Sequence, residues 1–162
     1  DFTIQEQQGG VQVGALQAGL FDGGYVIEPV ATVAISQGVA RRLEAGVIST
    51  YLLERKDAFS YAAGGAVTTK FMTDRPDVAA RYAKAWSQGI QDANNDPSTR
   101  ALFVQHMNIA PAVAPIVPLV KFTMVKDLKP EDVADFQRFV DLGVGFGVVK
   151  EKVDVKTFLK AY

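Results

Sequence analysis

The chain lacks cysteine altogether and contains a single histidine among its 162 residues. Without cysteine it can form neither a disulfide nor a thiolate zinc site, and it has no cysteine nucleophile. The lone histidine, His106, falls in a predicted helix without a second histidine four residues on, so we assign it a surface or packing role and predict no metal site. A serine triad also needs a histidine, and Ser87 lies within a predicted helix instead of on a strand-to-helix turn. We therefore predict no catalytic residue, no cofactor and no enzymatic activity.

The sequence also lacks a basic stripe and a long apolar run. Its formal net charge is −1, and Arg41-Arg42 is the only adjacent pair of arginines. Nucleic-acid binders usually carry a basic patch or stripe, so we predict no nucleic-acid partner. No apolar run reaches the roughly 18 residues that a membrane span requires, and three prolines interrupt the most apolar stretch, 110–120.

What the first part of the chain does contain is an alternation of strand and helix patterns. Alternating apolar and polar residues predict a strand over 1–7, and a helix follows over 11–18. An apolar segment predicts a second strand over 22–27, and Pro29 suits the first turn of a second helix, which extends to about residue 37. Strand and helix in this order predict an α/β layer.

Helix signals dominate the second part, after a probable strand over 66–72 that follows Gly64-Gly65. Each signal pairs a capping side chain with a proline, or places a proline or an aspartate at a helix start. These signals are Asp74 with Pro76, Asp96-Pro97, Pro130 and Asp154. Gly64-Gly65 is interpreted either as a strand kink or as a ligand contact.

Two polar features near the first helices could serve a ligand. Gly9-Gly10 lies between a predicted strand and a helix, where backbone N–H groups either cradle an anion or form a plain tight turn. Glu28 is a charged residue at the end of an apolar strand. It either caps the next helix or faces a cleft.

The stretch from Ala15 to Pro29 resembles a family pattern, A-L-x-x-G-x-x-D followed by a short strand and E-P. This pattern is common in solute-binding proteins of ABC importers for nitrate, sulfonate, taurine and thiamine precursors. Later segments look similar to the family as well, and the resemblance covers nearly the whole chain. These segments are Phe71 to Asp77, Tyr82 to Pro97, and Lys129 to Asp132 with the stop at Gly143.

The resemblance implies a two-lobed α/β fold like that of type II periplasmic binding proteins, only partly covered by this chain. Residues 1–42 would be the remainder of the second lobe, 43–58 a crossover, and 59–162 the C-terminal part of the first lobe. It further implies a periplasmic or other extracytoplasmic protein, with its signal peptide outside this chain. Such a protein captures a small solute between its lobes and delivers it to an ABC permease in the inner membrane.

The same resemblance implies ligand contacts at Gly9, Gly10 and Val11 and at Arg41 and Arg42. To these we add Glu28 and Tyr25, which would be the contacts for an amine ligand. Val11 is apolar where nitrate-binding relatives usually have a polar side chain, which argues against nitrate. Two arginines suit a sulfonate, a carboxylate or a phosphate, so we expect an anionic solute. Glu28 argues in the other direction, because a carboxylate in the same cleft would repel an anion and favour an amine.

Two alternative functions share this architecture. One is an enzyme similar to the thiamine-pyrimidine synthase, which would need an active-site histidine and a cysteine-rich stretch. This sequence has no cysteine, and its single histidine, His106, is not at a matching position. The other is the ligand-sensing domain of a transcription regulator. The sequence does not identify the solute or the oligomeric state.

Overall fold

The computed structural model describes residues 3–61 and 63–161, and these residues form helices but no β-strand. The α/β prediction, with its two lobes of the type II periplasmic-binding-protein kind, is therefore wrong. The α-helices are α1 (Gly9–Gln17), α2 (Val30–Ser36), α3 (Thr69–Asp74), α4 (Pro76–Asn95), α5 (Ala101–Met107) and α6 (Pro130–Gly145). Ile48–Leu52 forms a π-helical turn. Shorter 3-10 turns lie at Pro97–Arg100, Ala114–Ile116, Val125–Asp127 and Val155–Thr157.

The predicted strands fail because a strand needs a partner for its backbone groups. Within the described part of the chain, the backbone of residues 22–26 has no hydrogen-bonding partner, so this segment is not part of a sheet. The segment 66–72 contains a helix start instead. The Thr68 hydroxyl accepts a hydrogen bond from the Phe71 N–H at 3.1 Å and caps α3. Of the segment 1–7, residues 1 and 2 lie outside the described residues, and the rest has no regular structure.

Several predicted helix ends are confirmed. Gly19 and Gly38 have φ angles of 70° and 68°, the left-handed conformation that commonly ends a helix. Asp96 accepts a hydrogen bond from the Ser98 N–H at 2.8 Å and begins the helical segment that runs to Met107. Asp154 accepts a hydrogen bond from the Lys156 N–H at 3.0 Å, although only one 3-10 turn follows it.

Two predicted helix boundaries are wrong. Asp74 does not cap α4. It is the last residue of α3, and its carboxylate pairs with Lys70 of the same helix. Gly143 does not end α6, which continues to Gly145.

The chain divides into two compact units, each made of two separate stretches. The first unit comprises Asp1–Leu43 and Ala93–Val120, and in it α1 contacts α2 and α5 contacts its neighbouring 3-10 turns. The second comprises Glu44–Asp92 and Lys121–Tyr162, and in it α6 contacts the turn Val155–Thr157. The implied boundaries at 1–42, 43–58 and 59–162 stay a prediction. In the described part of the chain, no helix combines the length and the apolar character of a membrane span.

Few large apolar side chains of the described residues are buried. Leu53 and Val155 are the largest fully buried residues, and both belong to the second unit. Many others, such as Leu43, Tyr25 and Phe146, are exposed. Because burial of apolar area is the main stabilising term, the stability of the second unit depends strongly on a few positions.

The only tryptophan of the chain, Trp86 on α4, packs against the backbone of Gly65. A Cβ added at Gly65 would lie 3.0 Å from Cε2 of the indole, whereas a Cβ added at Gly64 would meet nothing within 4 Å. We expect Gly65→Ala to displace the indole ring, to shift its fluorescence emission and to destabilise the unit by about 1 kcal/mol. Gly64→Ala is the matched control, and an emission shift of equal size in both variants would contradict this contact.

Candidate functional site

The carboxylate of Glu28 lies at the start of α2 and is held by three donors. Its Oε2 accepts hydrogen bonds from the backbone N–H of Thr32 at 3.1 Å and from the Thr32 hydroxyl at 2.7 Å. Its Oε1 accepts a hydrogen bond from Nη2 of Arg42 at 2.6 Å. Thr32 is 7% exposed, so the two bonds to Oε2 are largely shielded from water. Of the two roles considered for Glu28, the structure shows the helix cap.

Arg42 follows α2 after the left-handed Gly38, which turns the chain back toward the start of that helix. Its side chain remains 44% exposed, compared with 20% for Glu28. A guanidinium has five N–H donors, and one nitrogen serves Glu28, so other donors of Arg42 are open to water. Arg41 beside it is exposed, and it has no hydrogen bond or ion pair with any described residue. The structure therefore shows the Glu28–Arg42 ion pair and, next to Arg42 in the chain, an exposed Arg41.

The remaining predicted site residues lie elsewhere in the same unit. Gly9 and Gly10 open α1, and Gly9 lies close to α2, since an added Cβ would be 3.7 Å from Cγ2 of Val30. Tyr25 is exposed in the extended segment before Glu28. Among the described residues, no hydrogen bond or ion pair joins Gly9, Gly10 or Tyr25 to Arg41 or Arg42. The structure thus unites Glu28 with Arg42 only.

Val11 contributes to an open groove of about 620 Å³ on one side of α1. The groove is mostly apolar, with two glutamines and no charged residue in its lining. Val11 therefore belongs to an apolar surface. The lining residues are Gln5, Gln7, Val11, Gly14, Ala15, Leu20 and Phe21.

Sequence reasoning missed Thr32, which supplies two of the three donors to Glu28. A signal for it existed, because a threonine at the third helical position can donate both its N–H and its hydroxyl to a carboxylate that precedes the helix.

Sequence reasoning also missed a polar cluster in the second unit, centred on Arg55. The guanidinium donates to Asp135 Oδ2 from Nε at 2.6 Å and to Asp132 Oδ1 from Nη2 at 2.8 Å. The Tyr61 hydroxyl donates to the backbone carbonyl of Asp132, and its ring stacks on Phe136 with centroids 4.8 Å apart. Arg55 is separated from the two aspartates by 77 and 80 residues, so no local pattern could have indicated this cluster.

The cluster changes the pKa values of its members. Burial acts to raise the pKa of Asp132, but hydrogen bonds from the Lys129 N–H and from Arg55 outweigh it and hold the pKa below its usual value. Burial, together with the charges of Asp132 and Asp135, raises the pKa of Tyr61 to about 12. No buried side-chain nitrogen or oxygen in the described residues lacks a hydrogen bond. The members of the cluster satisfy one another, so we assign it to stability and not to ligand binding.

Comparison of the chain with protein-family models, with curated proteins and with solved structures found no match.

Proposed function

We propose that this chain binds a small anionic solute at Arg41 and Arg42, as part of the solute-binding component of an ABC importer. The observation that carries the binding site is the ion pair of Arg42 with Glu28, beside Arg41, which has no partner among the described residues. Two consecutive arginines with guanidinium donors open to water suit an anion with several oxygen atoms, such as a sulfonate. The importer assignment is supported by the A-L-x-x-G-x-x-D and E-P pattern from Ala15 to Pro29. The ion pair does not depend on the α/β fold, which the structure contradicts, whereas the family pattern includes a short strand that residues 22–27 do not form.

The proposal places the protein outside the cytoplasm, where it would pass its solute to a permease in the inner membrane. The first test is a thermal-shift measurement of the purified chain with methanesulfonate, nitrate, acetate and a neutral sugar. A ligand that binds only the folded protein raises its melting temperature. We expect methanesulfonate to raise it and the sugar to leave it unchanged. A rise with the sugar alone would argue for a different solute class.

Substitution of Arg42 tests the site directly. We expect Arg42→Ala to weaken methanesulfonate binding about tenfold in isothermal titration calorimetry, because it removes a charge-assisted hydrogen bond from an exposed site. Arg41→Ala should weaken it in the same direction. The control is Arg81→Ala, which removes one positive charge from the exposed surface of α4 in the second unit. Unchanged affinity in both Arg41→Ala and Arg42→Ala would refute the anion site.

A further inference from the structure

We infer that Glu28 is a built-in competitor for the proposed anion site, so that a solute anion must bind against, or displace, an internal carboxylate. The inference rests on the proposed function, since it concerns the affinity of the same two arginines. The starting observation is the contact between Glu28 and Arg42. Glu28 Oε1 lies 2.6 Å from Arg42 Nη2, a contact as close as a solute oxygen could make.

The position of this carboxylate does not depend on Arg42. Its other oxygen, Oε2, is bound by the N–H and the hydroxyl of Thr32, which is buried within α2. If a solute draws Arg42 away, Glu28 keeps two of its three donors and stays at the start of α2. Its negative charge therefore remains near the site in the bound state as well as in the free state.

Arg42, in contrast, can move. Its side chain is more exposed than that of Glu28, and Glu28 is its only hydrogen-bonding or ion-pair partner among the described residues. The equilibrium that a solute must shift is therefore the pairing of an exposed guanidinium with a carboxylate that Thr32 also holds. A charge about 4 Å away in water changes an affinity by about fivefold, which sets the size of the effect.

The fixed carboxylate also has a consequence for specificity. An anion that contacts Arg42 alone meets the repulsion of Glu28, so its binding is weakened. An anion with enough oxygen atoms to engage Arg41 at the same time offsets that repulsion. Glu28 thus lowers the affinity of the site for anions and favours ligands that contact both arginines.

The test compares methanesulfonate affinity, by calorimetry, in the wild type, Glu28→Gln, Glu6→Gln and Arg42→Ala. We expect Glu28→Gln to tighten binding about fivefold, because the amide oxygen can still accept from Thr32 while the charge is lost. Glu6→Gln removes an exposed carboxylate of the same unit that has no partner among the described residues, and it should change the affinity less than twofold. If Glu28→Gln does not fold, Glu28→Asp draws the charge back from Arg42 and should tighten binding by a smaller factor.

The results for these variants distinguish a failure of the competitor role of Glu28 from a failure of the anion site. If Arg42→Ala weakens binding but neither Glu28 variant tightens it, the competitor role is overturned and the anion site stands. A gain of equal size in Glu6→Gln would also overturn it, since the effect would then come from net charge alone. If no variant or wild-type protein binds methanesulfonate, both the site and the competitor role are refuted.

Discussion

Leu53→Ala should lower the free energy of unfolding by roughly 2–5 kcal/mol, the range for truncating a buried leucine. Leu53 is 2% exposed and directly follows the π-helical turn Ile48–Leu52. Its backbone carbonyl accepts a hydrogen bond from Arg138 of α6 at 3.0 Å, which fixes the residue against that helix. Because the surroundings are held in place, we expect them to close the resulting cavity only in part.

The measurement is urea unfolding followed by far-ultraviolet circular dichroism. Leu43→Ala is the matched control, since it removes the same atoms from a side chain that is 81% exposed. Surface truncations of this kind usually change stability by less than about 0.5 kcal/mol. Equal losses in the two variants would show that Leu53 does not occupy a packed core.

Asp132→Asn should destabilise the second unit by about 3 kcal/mol, the lower end of the range for breaking a buried ion pair. The Asp132 side chain is 8% exposed. It binds Arg55 and also accepts the Lys129 N–H at 3.0 Å, which caps α6. We choose the lower end because Arg55 keeps its contact with Asp135.

The loss of stability caused by Asp132→Asn should become smaller as the pH falls. The pKa of Asp132 is lower in the folded chain than its usual value, so its ionised form stabilises the fold. That contribution is complete above the unfolded pKa of about 3.9 and disappears as the pH falls through the folded pKa. The wild type and Asp132→Asn should therefore differ most near pH 7 and converge in acid, below about pH 4.

Asp127→Asn is the control for this prediction, because the Asp127 side chain is exposed and has no ion-pair or hydrogen-bonding partner among the described residues. Denaturant midpoints measured from pH 7 down to pH 3 would distinguish the variants. A constant difference between Asp132→Asn and the wild type over this range would contradict the role of the Asp132 charge.

The candidate site shows which functional residues can be predicted from residue types alone. Glu28 and Arg42 were both singled out from the sequence, and the structure pairs them across 14 residues. The partnership itself could not be predicted, because it requires α2 and the turn at Gly38 to bring the chain back on itself. Gly9, Gly10 and Tyr25 were chosen for the same site, yet no hydrogen bond in the described residues connects them with the arginines.

The sequence by itself determined where many of the helices begin and end. Proline in a first turn, aspartate as a cap and glycine in the left-handed conformation act within a single turn, so their effect depends on neighbouring residues only. The helices that begin near Pro76 and Pro130 and the left-handed Gly19 follow from such signals.

Only the tertiary structure decided whether the short apolar segments became strands. Residues 22–27 have a strand-like composition, but a strand exists only where a second segment accepts its backbone hydrogen bonds, and that partner can lie anywhere in the chain. The same holds for Arg55, whose partners Asp132 and Asp135 lie about half the chain away. Contacts at such distances depend on how all the intervening elements pack, and no local pattern of residues encodes them.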